Sequence, residues 1–222
     1  MSGLLKLLNV TYQHNNGGGG VQGVSFEIEP CEFVLLVGRT GAGKTTIMRL
    51  LSMELAPMAG EISFAQYKSS AIKPKQLPCW RRRLGIVYQD FRLLKDRTAL
   101  ENVRLAAFCE RNLPGKPRHR ALKSLARMGL SHKLHCRPDE LSMGEQQRTA
   151  LARSLVNEPF LLLADEPVSN LDEQTAVELI EYLRRVNQAG TAMLVATHQP
   201  ERFISCAPRT IRVEKGRLVE SC

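Results

Sequence analysis

The clearest chemical pattern in the sequence lies in GRTGAGKTT, residues 38–46, called the phosphate loop below. It has the spacing G-x-x-x-x-G-K-[ST] and lies between a predicted strand and a predicted helix. Glycines let successive N–H groups curl around a phosphate, and the following helix adds its positive end. The pattern predicts a nucleotide site. Its candidate binding residues are Gly38, Arg39, Thr40, Gly41, Ala42, Gly43, Lys44, Thr45 and Thr46.

Two carboxylates supply the second part of this chemistry. Lys44 is expected to reach the β- and γ-phosphates and Thr45 to offer its hydroxyl to Mg²⁺. Hydrolysis also needs acids that hold the metal and orient water, and the run FLLLADEP places Asp165 and Glu166 after a buried strand. We expect Asp165 to hold Mg²⁺ through water and Glu166 to polarise the nucleophile. The alternative, that both acids cap the next helix, explains one acid better than the pair.

A histidine, His198, follows another predicted core strand, AMLVATH. Open α/β sheets bind ligands at the carboxyl ends of their strands, so we expect His198 to lie beside the γ-phosphate. There it would stabilise developing charge together with Lys44. The predicted catalytic residues are therefore Glu166, His198 and Lys44.

Aliphatic strands that alternate with helices must position these residues. Such alternation is typical of a parallel sheet covered on both faces, so an α/β fold is expected. Strand patterns are absent from about Thr98 to Arg127, where the sequence looks helical apart from the breaker segment NLPGKP. We therefore predict a nucleotide-binding core from residues 1–88 and 159–222, with residues 89–158 inserted as a helical block.

Composition limits the partners and the compartment. The net charge of +9 suits nucleotide phosphate, nucleic acid or an acidic membrane face, but few aromatics accompany the basic runs, so no nucleic-acid partner is expected. Six cysteines without a C-x-x-C pair argue against zinc and against a secreted disulfide scaffold. No segment approaches the roughly 20 apolar residues that cross a bilayer. We expect a cytoplasmic chain that reaches a membrane through a partner.

Six motifs occur in a fixed order along the chain, and with them it resembles the ABC-type ATPases over essentially its full length. The resemblance implies ATP and Mg²⁺ as cofactors and a phosphate-loop NTPase core with a mixed sheet. It also implies an antiparallel β subdomain near the amino end and an inserted helical subdomain that carries the signature motif. The motifs are GRTGAGKTT, Gln89 after LGIVY, LSMGEQQR (141–148), LLLADEP, SNLD (169–172) and His198.

The resemblance also assigns roles to residues outside the phosphate loop. Gln89 is expected to approach Mg²⁺ together with Thr45 and Asp165 and to relay to a membrane partner, and Tyr12 is expected to stack on adenine. In this family the signature of one subunit covers the ATP held by another. A homodimer on ATP binding is therefore implied, with SNLD at its seam. Ser142 and the N–H of Gly144 would contact the γ-phosphate of the ATP held by the partner.

Within the family, residues 80–103, WRRRLGIVYQDFRLLKDRTALENV, are most similar to the cell-division (FtsE) branch. Members of that branch pair with the integral membrane protein FtsX. An FtsX-like partner, control of peptidoglycan hydrolysis and a position on the inner face of the cytoplasmic membrane are therefore implied. The alternatives are the ATPase subunit of a lipoprotein-release or macrolide-export transporter, and a non-hydrolysing, nucleotide-dependent structural clamp.

The sequence departs from the family pattern at four places. Met143 replaces a signature glycine, and Cys31 replaces the glycine expected after Pro30. Val168 and Ser169 replace Thr-Gly, and Gln199 replaces an aspartate. We expect the Cys31 change to affect a turn. For Met143 we expect a negative φ, so that only its flexible side chain must be accommodated.

Overall fold

The computed structural model describes residues 4–14, 19–65, 67–110, 113–169, 171–206 and 208–221. Its larger sheet has six strands in the order β10-β9-β3-β8-β7-β6. All neighbours in this sheet are parallel except β9 and β10. The expected α/β fold with a mixed sheet is confirmed. The strands are Phe33–Val37 (β3), Leu84–Val87 (β6), Leu161–Asp165 (β7), Ala192–Thr197 (β8), Arg209–Glu214 (β9) and Arg217–Ser221 (β10).

A second, antiparallel sheet of four strands has the order β2-β1-β4-β5. This is the antiparallel part that the resemblance implied near the amino end. The two-residue strand β5 was not predicted, because so short a run carries no alternation to detect. The strands are Leu5–Gln13 (β1), Gly20–Ile28 (β2), Ala59–Phe64 (β4) and Tyr67–Lys68 (β5).

Of the six α-helices in the described part of the chain, three, α3 to α5, lie between β6 and β7 in sequence and contact one another at the β6 edge of the larger sheet. They occupy the predicted helical block, whose bounds as a separate subdomain stay a prediction. The helices are Lys44–Leu51 (α1), Leu77–Arg81 (α2), Ala99–Cys109 (α3), Pro117–Arg127 (α4), Met143–Leu155 (α5) and Glu173–Gln188 (α6). Within the described ranges, no helix is long and apolar enough to span a membrane.

The strand β3 shows how the core is divided, because all five of its residues are buried. Phe33, Leu35 and Val37 pack into the apolar cluster that includes α3 to α6. Val34 and Leu36 pack into the cluster formed with α1 and the antiparallel sheet. Successive side chains of a strand point to opposite faces, so both faces of the larger sheet are covered. The carboxyl ends of its strands remain at one edge for the functional residues.

Candidate active site

The phosphate loop joins β3 to α1, and its close contacts require glycine. Gly43 has a φ of 112°, and a β-carbon there would lie 3.1 Å from the carbonyl oxygen of Gly20. At Gly38 a β-carbon would lie 2.4 Å from the carbonyl oxygen of Val213. A side chain at Gly38 would therefore collide with neighbouring backbone, and one at Gly43 would be both crowded and strained by its positive φ. The narrow curl that suits a phosphate depends on glycine at both positions.

Lys44, the first residue of α1, folds its buried side chain back into this curl. Its Nζ donates to the carbonyl oxygen of Gly38 at 2.7 Å and lies 3.4 Å from that of Arg39. The first N–H groups of a helix have no intrahelical acceptor. The loop thus presents a compact positive charge beside N–H groups at a helix start, an arrangement that attracts anions.

The predicted metal residues meet beside the loop. The Thr45 hydroxyl donates to Oδ2 of Asp165 at 3.0 Å, and Gln89 lines the same cavity of about 450 Å³. Burial raises the pKa of Asp165, and the nearby charge of Glu166 raises it further, against the opposing effects of Thr45 and Lys44. A hydroxyl, a carboxylate and a side-chain amide are oxygen donors of the kind that Mg²⁺ prefers. These residues fit the metal.

Glu166 lies directly after β7 with a φ of 50°, a left-handed conformation that is uncommon for glutamate. Its N–H donates to the carbonyl oxygen of Ala196 at 2.9 Å, which ties this turn to the next strand, β8. Its carboxylate is almost fully buried, and Oε1 lies 2.8 Å from Nδ1 of His198. The structure therefore brings two of the predicted catalytic residues into direct contact.

The alternative role for the two acids, as caps of the following helix, is wrong. Asp172 caps α6, since its carboxylate accepts the N–H of Thr175 at 3.0 Å. Asp165 bonds Thr45 instead, and Glu166 bonds His198. Asn170, in the same SNLD motif, lies outside the described residues.

His198 and the loop share a second cavity of about 720 Å³, which residues 38–42 also line. The phosphate loop is therefore flanked by the predicted metal-binding residues on one side and by His198 on the other. The third predicted catalytic residue, Lys44, lies at the start of the helix between them.

Tyr12 lies on β1 and lines a separate, smaller cavity of about 250 Å³ with Gly20 and Gly216. Its ring meets that of His14 edge-on, at 5.0 Å between centroids, and Nε2 of His14 lies 3.2 Å from the hydroxyl of Thr46. The end of β1 is thus connected to the first turn of α1. The sequence reasoning missed His14, because no motif spacing points to it.

The signature segment, residues 141–148, lies apart from these cavities. Ser142 is the N-cap of α5: its hydroxyl accepts the N–H of Glu145, whose carboxylate accepts the N–H of Ser142 in return. That backbone hydrogen bond is the main cause that lowers the pKa of Glu145. Among the described residues that line the two cavities beside the phosphate loop, neither Ser142 nor Gly144 is found.

The structure shows the backbone conformation at two of the departures from the family pattern, Met143 and Cys31. Met143 is the first residue of α5 and does not have a positive φ, as expected, and its side chain is 54% exposed. Cys31 has a φ of 63° in the turn between β2 and β3, so there the sequence lacks a glycine where the backbone favours one.

Comparison with known proteins agrees with the motif order. The model of a family described as ABC transporter matches residues 21–169. The cell division ATP-binding protein FtsE of Bacillus subtilis is 38% identical over 216 residues, which cover 97% of this chain and 95% of that protein. The lipoprotein-releasing system ATP-binding protein LolD of Gluconobacter oxydans is 42% identical over 220 residues, or 97% and 95% of the two chains.

A solved structure shows the same fold. It is the dimeric, post-hydrolysis state of the ATP-binding cassette MJ0796 bound to ADP and Pi. Its TM-score is 0.90 at 32% identity, and the match covers 98% of this chain and 97% of that one. The resemblance stated from the motifs is confirmed.

Proposed function

Because the chain belongs to the ABC transporter family and is an ATPase of that family, we propose that it drives a membrane complex of cell division, with an FtsX-like integral membrane protein as its partner. The observation that carries the proposal is the paired geometry beside the phosphate loop. Thr45 meets Asp165 at 3.0 Å, and Glu166 meets His198 at 2.8 Å. The similarity to FtsE proteins over 97% of the chain supports the cell-division role.

ATP would bind with its phosphates in the phosphate loop and its adenine against Tyr12. Lys44 would exchange its bonds to the loop carbonyls for the β- and γ-phosphates, since a flexible ammonium is a mobile point charge. Thr45, Gln89 and Asp165 would hold Mg²⁺, which neutralises charge between the two phosphates. The raised pKa of Asp165 would fall on metal binding, because a cation favours the ionised carboxylate.

Glu166 is the proposed general base for the attacking water. His198 holds one carboxylate oxygen, and no partner of Oε2 is found among the described residues, so this oxygen is left to accept the water's proton. The left-handed turn at Glu166 and the contact to His198 hold the carboxylate beside a residue that lines the cavity of the phosphate loop. His198 and Lys44 would then stabilise charge on the γ-phosphate.

The signature segment would act on a second copy of the chain. Ser142 is exposed at the positive end of α5 and lies outside the cavities beside its own phosphate loop. We infer a head-to-tail homodimer in which Ser142 and the N–H of Gly144 contact the γ-phosphate held by the partner, with residues 169–172 at the seam. ATP would close this dimer and hydrolysis would release it. The membrane partner would follow the motion and hold the chain at the inner face of the cytoplasmic membrane.

A lipoprotein-release role is the second candidate, because the LolD protein is 42% identical over 97% of this chain. The two roles differ in the partner. Co-purification with a membrane protein of the FtsX kind supports the cell-division role. Co-purification with a lipoprotein-release permease, and not with the former, supports the second.

The catalytic proposal is tested with Glu166→Gln, using the exposed Glu178→Gln on α6 as the matched control. Loss of a general base is expected to lower phosphate release by about 100-fold or more, while ATP binding persists and the ATP-bound dimer accumulates. Phosphate release and light scattering measure the two effects. Undiminished hydrolysis in Glu166→Gln contradicts the assignment. Activity that stays proportional to protein concentration down to clearly monomeric chain contradicts the composite site.

A further inference from the structure

The turn that follows β6, residues 88–92, has an unusual backbone and is called the Gln89 turn below. Phe91 and Arg92 have φ values of 58° and 46°, so two consecutive non-glycine residues adopt the left-handed conformation. Such residues visit this region rarely and as single residues. A conformation of this kind persists only where the surroundings hold it, so contacts of this turn must stabilise it.

Arg153, on the last turn of α5, supplies the first of these contacts. Its Nη2 donates to the carbonyl oxygen of Phe91 and its Nη1 to that of Arg92, both at 2.6 Å. Burial lowers the pKa of Arg153, but a guanidinium stays charged in proteins and needs acceptors when it is buried. The carbonyl oxygens of the two strained residues are those acceptors. The fork of one side chain therefore bridges both strained residues.

The side chain of Arg92 supplies the second contact. Its guanidinium lies over the Tyr88 ring, 3.7 Å from the centroid, and pairs with Glu54 at 3.2 Å. The Tyr88 hydroxyl donates to the same carboxylate, and burial together with this bond raises the pKa of Tyr88 to about 12. The phenol therefore remains a donor near neutral pH. This contact ties the turn to the segment after α1.

The position of Arg153 on α5 links this contact to the signature segment. The helix begins at Met143, beside the signature serine, and Arg153 lies ten residues later. At 1.5 Å per residue the two ends are roughly 15 Å apart on one rigid element. Gln89 lies in the turn that Arg153 holds and lines the cavity that contains Thr45 and Asp165.

We propose that Arg153 is a positioning residue: by bridging the carbonyl oxygens of Phe91 and Arg92, it connects the signature end of α5 to the placement of Gln89 beside the metal residues. The inference rests on the proposed role of Gln89 toward Mg²⁺. When contact with a second copy shifts α5, Arg153 moves the Gln89 turn with it. Metal binding and closure of the dimer are thereby coupled through one side chain.

The test compares Arg153→Lys with Arg120→Lys. Arg120 makes similar contacts within the helical block, since its Nη2 donates to the carbonyl oxygens of Ala107 and Glu110, but it lies far from Gln89 in the chain. Lysine keeps the charge and loses the planar fork. The readout is Mn²⁺ binding to the ATP-loaded chain, measured by electron paramagnetic resonance, which needs no hydrolysis. Binding of ATP without metal is measured in parallel.

Arg153→Lys is expected to weaken Mn²⁺ binding about fivefold, which corresponds to about 1 kcal/mol, and to leave metal-free ATP binding unchanged. Arg120→Lys is expected to leave both unchanged. If Arg153→Lys does not fold, Arg92→Asn serves instead, because asparagine tolerates positive φ and the change removes the side-chain contacts of Arg92 to Tyr88, Glu54 and Asp90. It is expected to weaken Mn²⁺ binding in the same direction.

Three results overturn the proposal. Equal weakening by Arg153→Lys and Arg120→Lys would assign the effect to general loosening of the helical block. Unchanged Mn²⁺ affinity in a folded Arg153→Lys chain, or in Arg92→Asn when that variant replaces it, would remove the connection to Gln89. Wild-type protein that binds neither ATP nor Mn²⁺ would refute the proposed function itself and this inference with it.

Discussion

The phosphate loop and the signature segment, both proposed to contact the same kind of phosphate, are built in opposite ways. The loop is held by distant parts of the chain: Gly38 abuts Val213, Gly43 abuts Gly20, and the N–H of Gly216 donates to the carbonyl oxygen of Ala42 at 2.9 Å. The signature serine is exposed and makes its bonds within four residues, as a helix cap. One half of the site is thus fixed by tertiary structure, and the other is presented by a helix end.

The two halves also differ in how they affect stability. Beside the loop, Asp165 is buried with a raised pKa, and Glu166 has a left-handed backbone. Both features cost free energy in the folded chain, as strained and desolvated groups at functional sites commonly do. In the signature segment, the capping box of Ser142 and Glu145 stabilises the helix that it begins. The functional features therefore lower the stability of the fold beside the loop and raise it in the signature segment.

The largest effect that tests this contrast is expected for Met143→Glu. A glutamate in the first turn of α5 interacts favourably with the helix dipole, so the melting temperature should not fall. The same charge would face the partner's γ-phosphate, and ATPase activity should fall at least about tenfold. Val177→Glu, at a side chain that is 58% exposed on α6, is the matched control and should keep its activity.

Mixing variants makes the same experiment sharper. Lys44→Ala removes a phosphate-loop contact, and Met143→Glu disturbs the signature, so each chain alone should be nearly inactive. Together they can form one composite site in which both halves are intact, and ATPase activity should reappear on mixing. Mixed protein that stays as inactive as its components, while light scattering shows dimers, would contradict the assignment of the two halves to different chains.

A smaller effect, on stability, is expected for Asp165→Asn. Since the folded-state pKa of Asp165 is raised, the ionised carboxylate destabilises the fold. This penalty grows as the pH rises from the ordinary pKa of an aspartate through the raised pKa of Asp165. Without metal or nucleotide, the variant should therefore be more stable than the wild type at pH 8, where the wild-type carboxylate bears the penalty. The difference should vanish in acid, where the wild-type carboxyl group is protonated.

Thermal melts across this pH range, with the exposed Asp96→Asn as control, measure the difference. Addition of Mg²⁺ and ATP should reverse the order of stabilities, because only the wild-type chain binds the metal well. An Asp165→Asn chain that is less stable at pH 8 would mean that the bond from Thr45 outweighs the cost of burial. Burial of Asp165 beside the phosphate loop would then not lower the stability of the fold.

The sequence predicts the local features of both halves and few of the long-range contacts. A run of five aliphatic or aromatic residues, Phe33–Val37, predicts a strand buried on both faces, and the structure confirms it. The contact between His14 and Thr46 joins residues 32 positions apart, and that between Arg153 and Phe91 joins residues 62 apart. Such pairs depend on how whole elements pack, so no spacing in a single sequence indicates them.

The smallest effects are expected where the sequence lacks a glycine of the family pattern, and the two positions, Cys31 and Met143, should respond in opposite directions. Cys31→Gly removes the strain of a left-handed cysteine at φ 63°, which costs roughly 1 to 2 kcal/mol, although the variant also gains entropy in the unfolded chain. A net rise in stability of about 0.5 kcal/mol or more is expected. Met143→Gly puts glycine into a helical turn and should lower stability by less than about 1 kcal/mol.

Neither change should alter ATP-dependent dimerisation strongly, because Met143 already has the helical backbone that a glycine would have to adopt. Urea unfolding of both variants and light scattering with ATP measure these effects. Much tighter dimerisation of Met143→Gly would show that the exposed methionine side chain obstructs closure. Met143 would then weaken the contact between two chains rather than the fold of one.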